Sequence, residues 1–394
     1  MKNKLFNVHP DVVKLGLVSF FTDLSSEAIF SVFSVFFTVI VGASVALLGL
    51  IEGLADFSAS SLDYLAGWLS DKSGKRKPLA LAGYGFSTLA KLMLLIGSSV
   101  AALASFRIIE RLGKSFRGAP RDAWLADVAS EGNRGYAFGL HKTMDKTGAI
   151  LGPLLAYFLL NKFGQGFNTF NLIFVFAVIM AFISVVILAI MKDRPGMSHK
   201  RENIFLAAKT LSPRFKAYMI PAGIFSLAYF SFGFLLLRAY ASGFAIKDVV
   251  LLYALFNMAF VMVAVPIGKL GDWIGRKYIV MLGYAVYILM SLGFIFATTK
   301  WEVVGLFILF GIFYSIDEAQ SKAFIADIER DRRATAMGLY NFITGLIYLP
   351  ASVIAGALWA MNPVYAFVFA TATACMALVA FIIIKPWKEK SIKI

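Results

Sequence analysis

Long apolar stretches recur along the whole chain, and short polar turns separate them. A helix that crosses a membrane needs about 20 mostly apolar residues in succession. On that criterion we predict twelve membrane-spanning helices, at residues 12–40, 44–69, 78–97, 99–120, 140–160, 169–191, 217–240, 248–268, 278–297, 302–322, 335–359 and 363–385. The predicted fold class is therefore an all-α membrane protein.

The composition agrees with this pattern. Of the 394 residues, 59% are hydrophobic and only 15% are charged, with a mean hydropathy of +0.77. Soluble domains average about 45–50% apolar and about 25% charged residues, so the composition excludes a conventional soluble enzyme. The three histidines are widely scattered, and Cys375 is the single cysteine. We therefore expect no metal site and no cofactor, and we expect Cys375 to be a buried core residue.

The net charge of +15 follows the predicted topology. Lysines and arginines gather on one side of a twelve-helix bundle, at residues 72–77, 192–216, 276–277, 330–333 and 385–393. The opposite loops hold only Lys162, Lys247 and Lys300. Because loops rich in Lys and Arg stay in the cytoplasm, we expect a multi-pass protein of the cell (inner) membrane with both termini cytoplasmic. We expect no nucleic-acid partner.

The longest polar segment, at residues 192–216, divides the chain into two halves of six spans each. We predict an N-terminal bundle at 1–191 and a C-terminal bundle with a short cytoplasmic tail at 217–394. The halves resemble each other, because the pattern G-x-L-x-D-x-x-G-[RK]-[RK] begins at Gly67 after span 2 and at Gly268 after span 8. This repetition indicates an internal duplication with the halves as parallel repeats.

With twelve spans, a central link and this motif in both halves, the chain resembles transporters of the major facilitator superfamily. The resemblance implies two six-helix bundles that rock about a central cavity and give alternating access. It also implies a cytoplasmic gate formed by the motif residues Gly67, Asp71, Gly74, Lys75, Arg76, Gly268, Asp272, Gly275 and Arg276. In physical terms, Gly74 and Gly275 suit a tight turn, and Gly67 and Gly268 would let a neighbouring helix approach closely. The alternative is a turn that only carries positive-inside charges.

Span 4 carries an unusual charged face. Its charged positions 107, 110, 111, 114, 117 and 121 step by three or four residues, which places them on one side of a helix. Because a charge in the middle of the bilayer costs at least about 2.5–3.5 kcal/mol, this face should line a water-filled cavity or pair with other charges. Arg107 is similar to an arginine that the superfamily has in this helix in its proton-coupled branch.

Acidic residues that could pair with this face lie on spans 1 and 2. Asp23 and Glu27 are four residues apart, and Glu52 and Asp56 repeat that spacing. Asp56 and Arg111 each lie about 18 Å from the outer end of their helix, so their depths allow a buried network of these groups. The proton-coupling candidates are Asp23, Glu27, Asp56, Arg107, Glu110 and Arg111, because buried carboxylates titrate when their surroundings change. The alternative is a permanent ion-pair network that holds the bundle together.

Other candidate residues lie on spans 5, 10 and 11. Small residues at Gly148 and Gly152 followed by Pro153 resemble the helix-5 signature of antiporters in the superfamily, and they allow close helix contact. In the second half the main polar cluster is Asp317 and Glu318, followed by Tyr340 and Asn341. We assign as substrate-cavity candidates Glu52, Lys114, Arg117, Asp317, Glu318, Tyr340 and Asn341.

Together these features predict a secondary active transporter that couples a small-molecule substrate to protons or another ion. Export of an amphipathic or drug-like compound is the first hypothesis, and transport of an anionic metabolite is the second. A membrane-embedded enzyme or a non-transporting receptor is the remote alternative, since the sequence has no GxSxG, HExxH or nucleotide-binding glycine loop. We expect a monomer in contact with the lipid bilayer.

Overall fold

The computed structural model describes residues 8–97, 99–129, 133–193, 211–329 and 332–387, without the side chains of residues 61, 64, 71, 319, 320, 333 and 334. This part of the chain is helical and contains no strand, so the predicted all-α class is confirmed. In the first half the helices are α1 Pro10–Val35, α2 Val45–Ser73, α3 Arg76–Ile96, α4 Val100–Val128, α5 Arg134–Phe163 and α6 Phe167–Ile190. A π-helical turn, Phe36–Ile40, extends α1.

The second half has helices at the predicted positions, but two predicted spans are interrupted. Its helices are α7 Pro213–Ala228, α8 Gly233–Ala241, α9 Ile246–Ile274, α10 Arg276–Phe296, α11 Lys300–Ile316, α12 Lys322–Ile328, α13 Arg333–Met361 and α14 Pro363–Ile384. Span 7 breaks between α7 and α8. Span 10 changes to a π-helical turn at Asp317–Ser321, between α11 and α12. Most of the predicted link 192–216 and the tail after residue 387 lie outside the described residues.

Within the described residues, nine helical segments are long and apolar enough to cross a membrane. The three other predicted spans correspond to α4, α5 and the α11–α12 segment. α4 falls short because of its charged face, and α11 has only 17 residues before the π-helical turn. The structure is thus consistent with twelve membrane-spanning segments.

Several helices begin at residues whose side chains accept a hydrogen bond from the first helical turn. The Ser99 hydroxyl accepts from the Ala102 amide at the start of α4, and the Ser212 hydroxyl accepts from the Phe215 amide at the start of α7. At α11, Thr299 and Glu302 form a capping box in which each side chain accepts from the other's backbone amide. Each such cap stabilises a helix by about 1 kcal/mol, so local sequence sets where these helices begin.

The chain separates into two compact units. Unit 1 comprises Met1–Ser44, Leu54–Arg201 and Phe244–Ala254, and unit 2 comprises Val45–Gly53, Glu202–Gly243 and Leu255–Ile394. In unit 1, α1 packs on α5 and α6, and α3 packs on α4 and α6. In unit 2, α7 packs on α13 and α14, and α10 packs on α11 and α14. The same four helix pairings therefore occur in each unit, as expected for an internal repeat.

Large apolar side chains remain exposed along many helices, among them Phe158 on α5, Phe182 on α6 and Val379 on α14. In water such surfaces would be unfavourable, but lipid covers them in a membrane protein. Cys375 on α14 is also exposed. The expectation that Cys375 is buried was wrong, because an apolar sequence surrounds lipid-facing residues as well as core residues.

Candidate functional site

The charged face predicted on span 4 lies on α4 in unit 1. Arg107, Glu110 and Arg117 are buried, whereas Lys114 is exposed. Arg107 places its guanidinium 4.4 Å from the centre of the Phe30 ring on α1, a cation–π contact. These charges sit within a helix of 29 residues, so they are held at the depth of the bilayer.

Glu110 is the fully buried centre of this cluster. Its Oε1 atom accepts hydrogen bonds from Ser26 Oγ at 3.4 Å and from Ser87 Oγ at 3.3 Å. Its Oε2 atom lies 3.8 Å from Arg107 Nη1. Three helices, α1, α3 and α4, therefore contribute groups that solvate one carboxylate, which compensates part of the cost of burying it.

Lys91 on α3 belongs to the same cluster, and the sequence analysis did not identify it. Its side chain is 0% exposed, and its Nζ atom donates a hydrogen bond to Ser26 Oγ at 3.0 Å. Lys91 is only five residues from the end of α3 at Ile96. A lysine near a helix end commonly extends its ammonium group to the membrane surface, so its position alone does not distinguish a buried site residue from an interfacial one.

A second charge pair joins α4 to α2. Arg111 Nη2 donates to Asp56 Oδ1, and both side chains are partly buried. These two residues lie at the same depth, as the helical rise predicts. Arg117, six residues further along α4, donates to Ser87 Oγ at 2.9 Å and lies 5.0 Å from the centre of the Tyr84 ring.

Asp23 and Lys114 differ from the rest of the cluster. Within the described part of the chain, neither side chain has a hydrogen bond or an ion pair of 4.0 Å or less. Asp23 nevertheless lies within electrostatic range of Lys114, and also of Asp145, Glu27 and Arg117. In the described part of this cluster, Asp23 and Lys114 are thus the acid and the base without a hydrogen-bond or ion-pair partner.

Two other predicted carboxylates accept hydrogen bonds from hydroxyl groups. In unit 1, Glu27 Oε2 accepts from the Tyr253 hydroxyl at the start of α9. In unit 2, the buried Glu52 accepts from Ser231 Oγ at 3.0 Å, in the break between α7 and α8. Neither hydroxyl partner was identified from the sequence, because serine and tyrosine are common in spans without any polar role.

In unit 2 the predicted polar cluster forms around the π-helical turn. Ser321 Oγ donates to Asp317 Oδ1 at 3.1 Å. The Tyr218 ring stacks on the Tyr340 ring with 6.2 Å between centroids, and hydrogen bonds link the Tyr218 hydroxyl to Ser321 and Tyr340. Glu318, within the π-helical turn, and Asn341, on α13, are half-buried. π-helical turns are frequent at functional sites, and this one positions Asp317 beside the tyrosine hydroxyls.

The predicted gate motif forms a turn in each unit. Gly74 and Gly275 have φ angles of +66° and +96°, which residues other than glycine rarely adopt. Arg76 Nε lies 3.3 Å from Asp127 Oδ2, and Arg276 Nε lies 3.2 Å from Asp327 Oδ2. The same bond therefore occurs in both repeats.

The other motif residues differ between the two turns. Arg76 also donates to Ser70 Oγ at 2.9 Å, whereas Arg276 lies 3.2 Å from Asp272 Oδ1. Lys75 precedes α3 and is exposed, and Gly67 is buried. The side chain of Asp71 lies outside the described residues. The expected close helix contact at Gly268 is wrong, because a Cβ atom added there would meet nothing within 4 Å.

The helix-5 motif packs α5 against α1. A Cβ atom added at Gly152 would lie 2.6 Å from the Leu24 carbonyl oxygen and 2.8 Å from the Ala28 amide nitrogen. Gly148 faces the same helix one turn earlier, at Phe20. Pro153 is buried inside α5, which continues through it. Among the described residues, no group of three or more His, Cys, Asp or Glu side chains could hold a metal ion.

Comparisons with known proteins agree with this architecture. The family model described as Major Facilitator Superfamily matches residues 15–316 and 222–393. An MFS-type transporter of Methanocaldococcus jannaschii is 34% identical over 374 residues, covering 93% of each chain. Multidrug resistance protein 2 of Bacillus subtilis is 25% identical over 354 residues, covering 86% of each chain. The structure of the nucleoside transporter NupG superposes with a TM-score of 0.75 at 15% identity, over 97% of this chain and 100% of that one.

Proposed function

The chain belongs to the major facilitator superfamily, so it is a membrane transporter and not an enzyme, and on that premise we propose that it carries its substrate by proton-coupled alternating access. The observation that carries this proposal is the buried charge cluster of unit 1. Its carboxylates at Asp23, Glu27 and Glu110 lie among Lys91, Lys114 and Arg117 in helices of membrane-spanning length. Carboxylates in such surroundings change protonation when access to water changes.

The cluster also supports an anionic substrate. Lys114 is an exposed cation in the middle of α4, and no described side chain forms a hydrogen bond or an ion pair of 4.0 Å or less with it. The acidic group of an anion, taken up together with a proton, would give this cation a partner without adding net charge to the site. We therefore propose a small organic anion as the cargo.

Export of an amphipathic or drug-like compound is the second candidate. It is favoured by the similarity to multidrug resistance proteins 2 and 1 of Bacillus subtilis, which are 25% and 23% identical to this chain. The Gly148–Pro153 segment, packed on α1, resembles the antiporter signature and supports the same candidate.

Flux into proteoliposomes separates these candidates. The purified protein would be reconstituted with an imposed pH gradient, and the uptake or release of matched anionic, neutral and cationic compounds would be compared. Proton-coupled anion transport predicts that flux of an anion responds to the gradient and stops when an ionophore collapses it. Gradient-driven flux restricted to cations would instead support drug export. Flux unaffected by the ionophore would reject proton coupling.

The arrangement in the membrane forms part of the proposal. We propose two six-helix bundles at 1–191 and 217–394, joined by a cytoplasmic link at 192–216, in a monomer of the cell (inner) membrane. The basic turns after α2 and α9, with Arg76 and Arg276 bound to Asp127 and Asp327, would form the cytoplasmic gate. Labelling of single cysteines introduced at the two termini tests the orientation, because both should react only from the cytoplasmic side.

A further inference from the structure

The basic residues of α4 differ in whether a protein group already binds them through a hydrogen bond or an ion pair. Four of them have such partners, namely Arg107 with Glu110, Arg111 with Asp56, Arg117 with Ser87 and Arg121 with Asp122. Lys114 has none among the described residues, and its side chain is exposed. Lys114 is 14 residues from each end of α4, about 21 Å from either end. A lysine at this depth must face water, because exposure to lipid would be costly.

Asp23 is the corresponding acidic residue. The other acidic side chains near it have partners within unit 1: Glu27 accepts from Tyr253, Glu110 accepts from Ser26 and Ser87, and Asp145 is bound to Lys142. Asp23 has no such partner in the described part of the chain, and it is only half-buried. Its charge interacts with that of Lys114. The two residues therefore form an acid–base pair that is open to a ligand.

We infer that Asp23 and Lys114 form a site for one proton and one organic anion, in which the acidic group of the anion binds the Lys114 ammonium while Asp23 is protonated. The inference rests on the proposed function and adds to it the residues that hold the anion and the proton and the sense of coupling, in which the two are bound together. A carboxylate is the simplest acidic group for this site.

Charge balance is the physical reason why the proton and the anion would bind together. In the empty site, Asp23 and Lys114 carry charges that sum to zero. In the loaded site, the charges of Lys114 and the bound anion again sum to zero, because the proton neutralises Asp23. Neither state then brings a net charge into a medium where an unbalanced charge is costly. Binding of the anion alone would place two anions beside one lysine, so the proton and the anion favour each other's binding.

The charged groups around Asp23 support this joint binding of a proton and an anion. Five charged residues act on Asp23 electrostatically: Glu27 on α1 itself, Lys91 on α3, Lys114 and Arg117 on α4, and Asp145 on α5. α6 also packs on α1, but it has no charged residue. Because Lys91 and Arg117 already bind Ser26 and Ser87, Lys114 is the cation that is available when Asp23 takes up a proton.

Equilibrium binding to the purified full-length protein tests the inference without requiring transport. The probes are benzoate, its neutral analogue benzamide and its cationic analogue benzylammonium, titrated by calorimetry between about pH 5.5 and about pH 8. Benzoate should bind most tightly at low pH, and log Kd should rise with pH with a slope of about 1, the signature of one linked proton. Asp23→Asn should flatten this slope. Lys114→Met should weaken benzoate binding at least about tenfold, which corresponds to about 1.4 kcal/mol.

Lys162→Met is the matched control, because Lys162 is an exposed lysine at the end of α5, outside the cluster. It should leave both the affinity and the slope unchanged. The inference is overturned if Lys114→Met binds benzoate as well as the parent does, if benzylammonium binds more tightly than benzoate, or if the parent binds no benzoate at any pH. These outcomes are independent of flux, so failure of proton-driven transport with proton-linked benzoate binding intact would reject only the proposed function.

Discussion

Lys91 on α3 and Glu110 on α4 are joined through a single hydroxyl group. Lys91 Nζ donates to Ser26 Oγ at 3.0 Å, and the same hydroxyl donates to Glu110 Oε1 at 3.4 Å. Both charged side chains are 0% exposed. This bridge from α3 through α1 to α4 links three helices of unit 1 at the centre of its charge cluster.

The bridge predicts a large effect of removing either charge. Lys91→Met should destabilise the protein by about 3–5 kcal/mol, because it leaves the buried Glu110 with less compensation. The double variant Lys91→Met/Glu110→Gln should be less destabilised than the sum of its single variants. Unfolding in detergent, followed by the fluorescence of the native tryptophans, measures these differences. Lys162→Met is the control at an exposed lysine outside the cluster and should change stability by less than about 1 kcal/mol. Additive single effects would show that Lys91 and Glu110 do not interact.

Substitutions at Arg111 and Asp56 show whether these two residues form a structural ion pair or whether Asp56 is a proton-coupling group. If the pair only holds α2 to α4, Asp56→Asn should be destabilising, and Asp56→Asn/Arg111→Gln should recover part of the stability and of the proton-driven flux. If Asp56 carries the proton, the double variant should recover stability but remain uncoupled. Measuring melting temperature and gradient-driven flux on the same preparations separates these results. We expect recovery of both, because Arg111 binds Asp56 directly.

Two glycines provide a matched test of the packing of α5. Gly152→Ala should be destabilising by about 1–3 kcal/mol, since its new methyl group would press on the backbone of α1 at Leu24 and Ala28. Gly268→Ala should be neutral or stabilising, because the site is open and alanine favours the helix by up to about 1 kcal/mol. Melting temperatures of the two variants provide the comparison. Equal destabilisation would contradict the close contact between α5 and α1.

The two gate arginines should respond unequally to the same substitution. Arg76 is only 4% exposed and binds both Ser70 and Asp127. Arg276 is more exposed, and its partners Asp272 and Asp327 are largely in water. Exposed ion pairs contribute about 0–1 kcal/mol, so Arg76→Gln should lower the melting temperature more than Arg276→Gln. The opposite order would show that burial does not set the strength of these pairs.

The sequence predicted the helices and the general position of the site because both depend on one-dimensional patterns. Apolar length set the spans, and the spacing of Arg107, Glu110 and Lys114 set the charged face of α4. The equal depths of Asp56 and Arg111 followed from the rise of a helix. The turns at Gly74 and Gly275 followed from the backbone freedom that glycine has.

What the sequence did not predict depends on how helices rotate about their axes and pack together. The neighbours of Glu110 on α4 are Lys91 and Ser87 on α3 and Ser26 on α1, so three helices meet at this carboxylate. Periodicity within one helix contains no information about these contacts. The π-helical turn at Asp317 was equally invisible, since an inserted residue in a helix leaves the local composition unchanged.

Proton movement that accompanies substrate movement is the most direct test of the account. Proteoliposomes containing a trapped pH indicator would report proton flux evoked by the transported compound, for the parent protein and for Asp23→Asn, Glu27→Gln and Asp56→Asn. We predict a substrate-evoked proton flux in the parent, and its loss in Asp23→Asn while substrate still binds. If each of the three carboxylates could be neutralised without any change in proton-driven flux, the assignment of proton coupling to this cluster would be wrong.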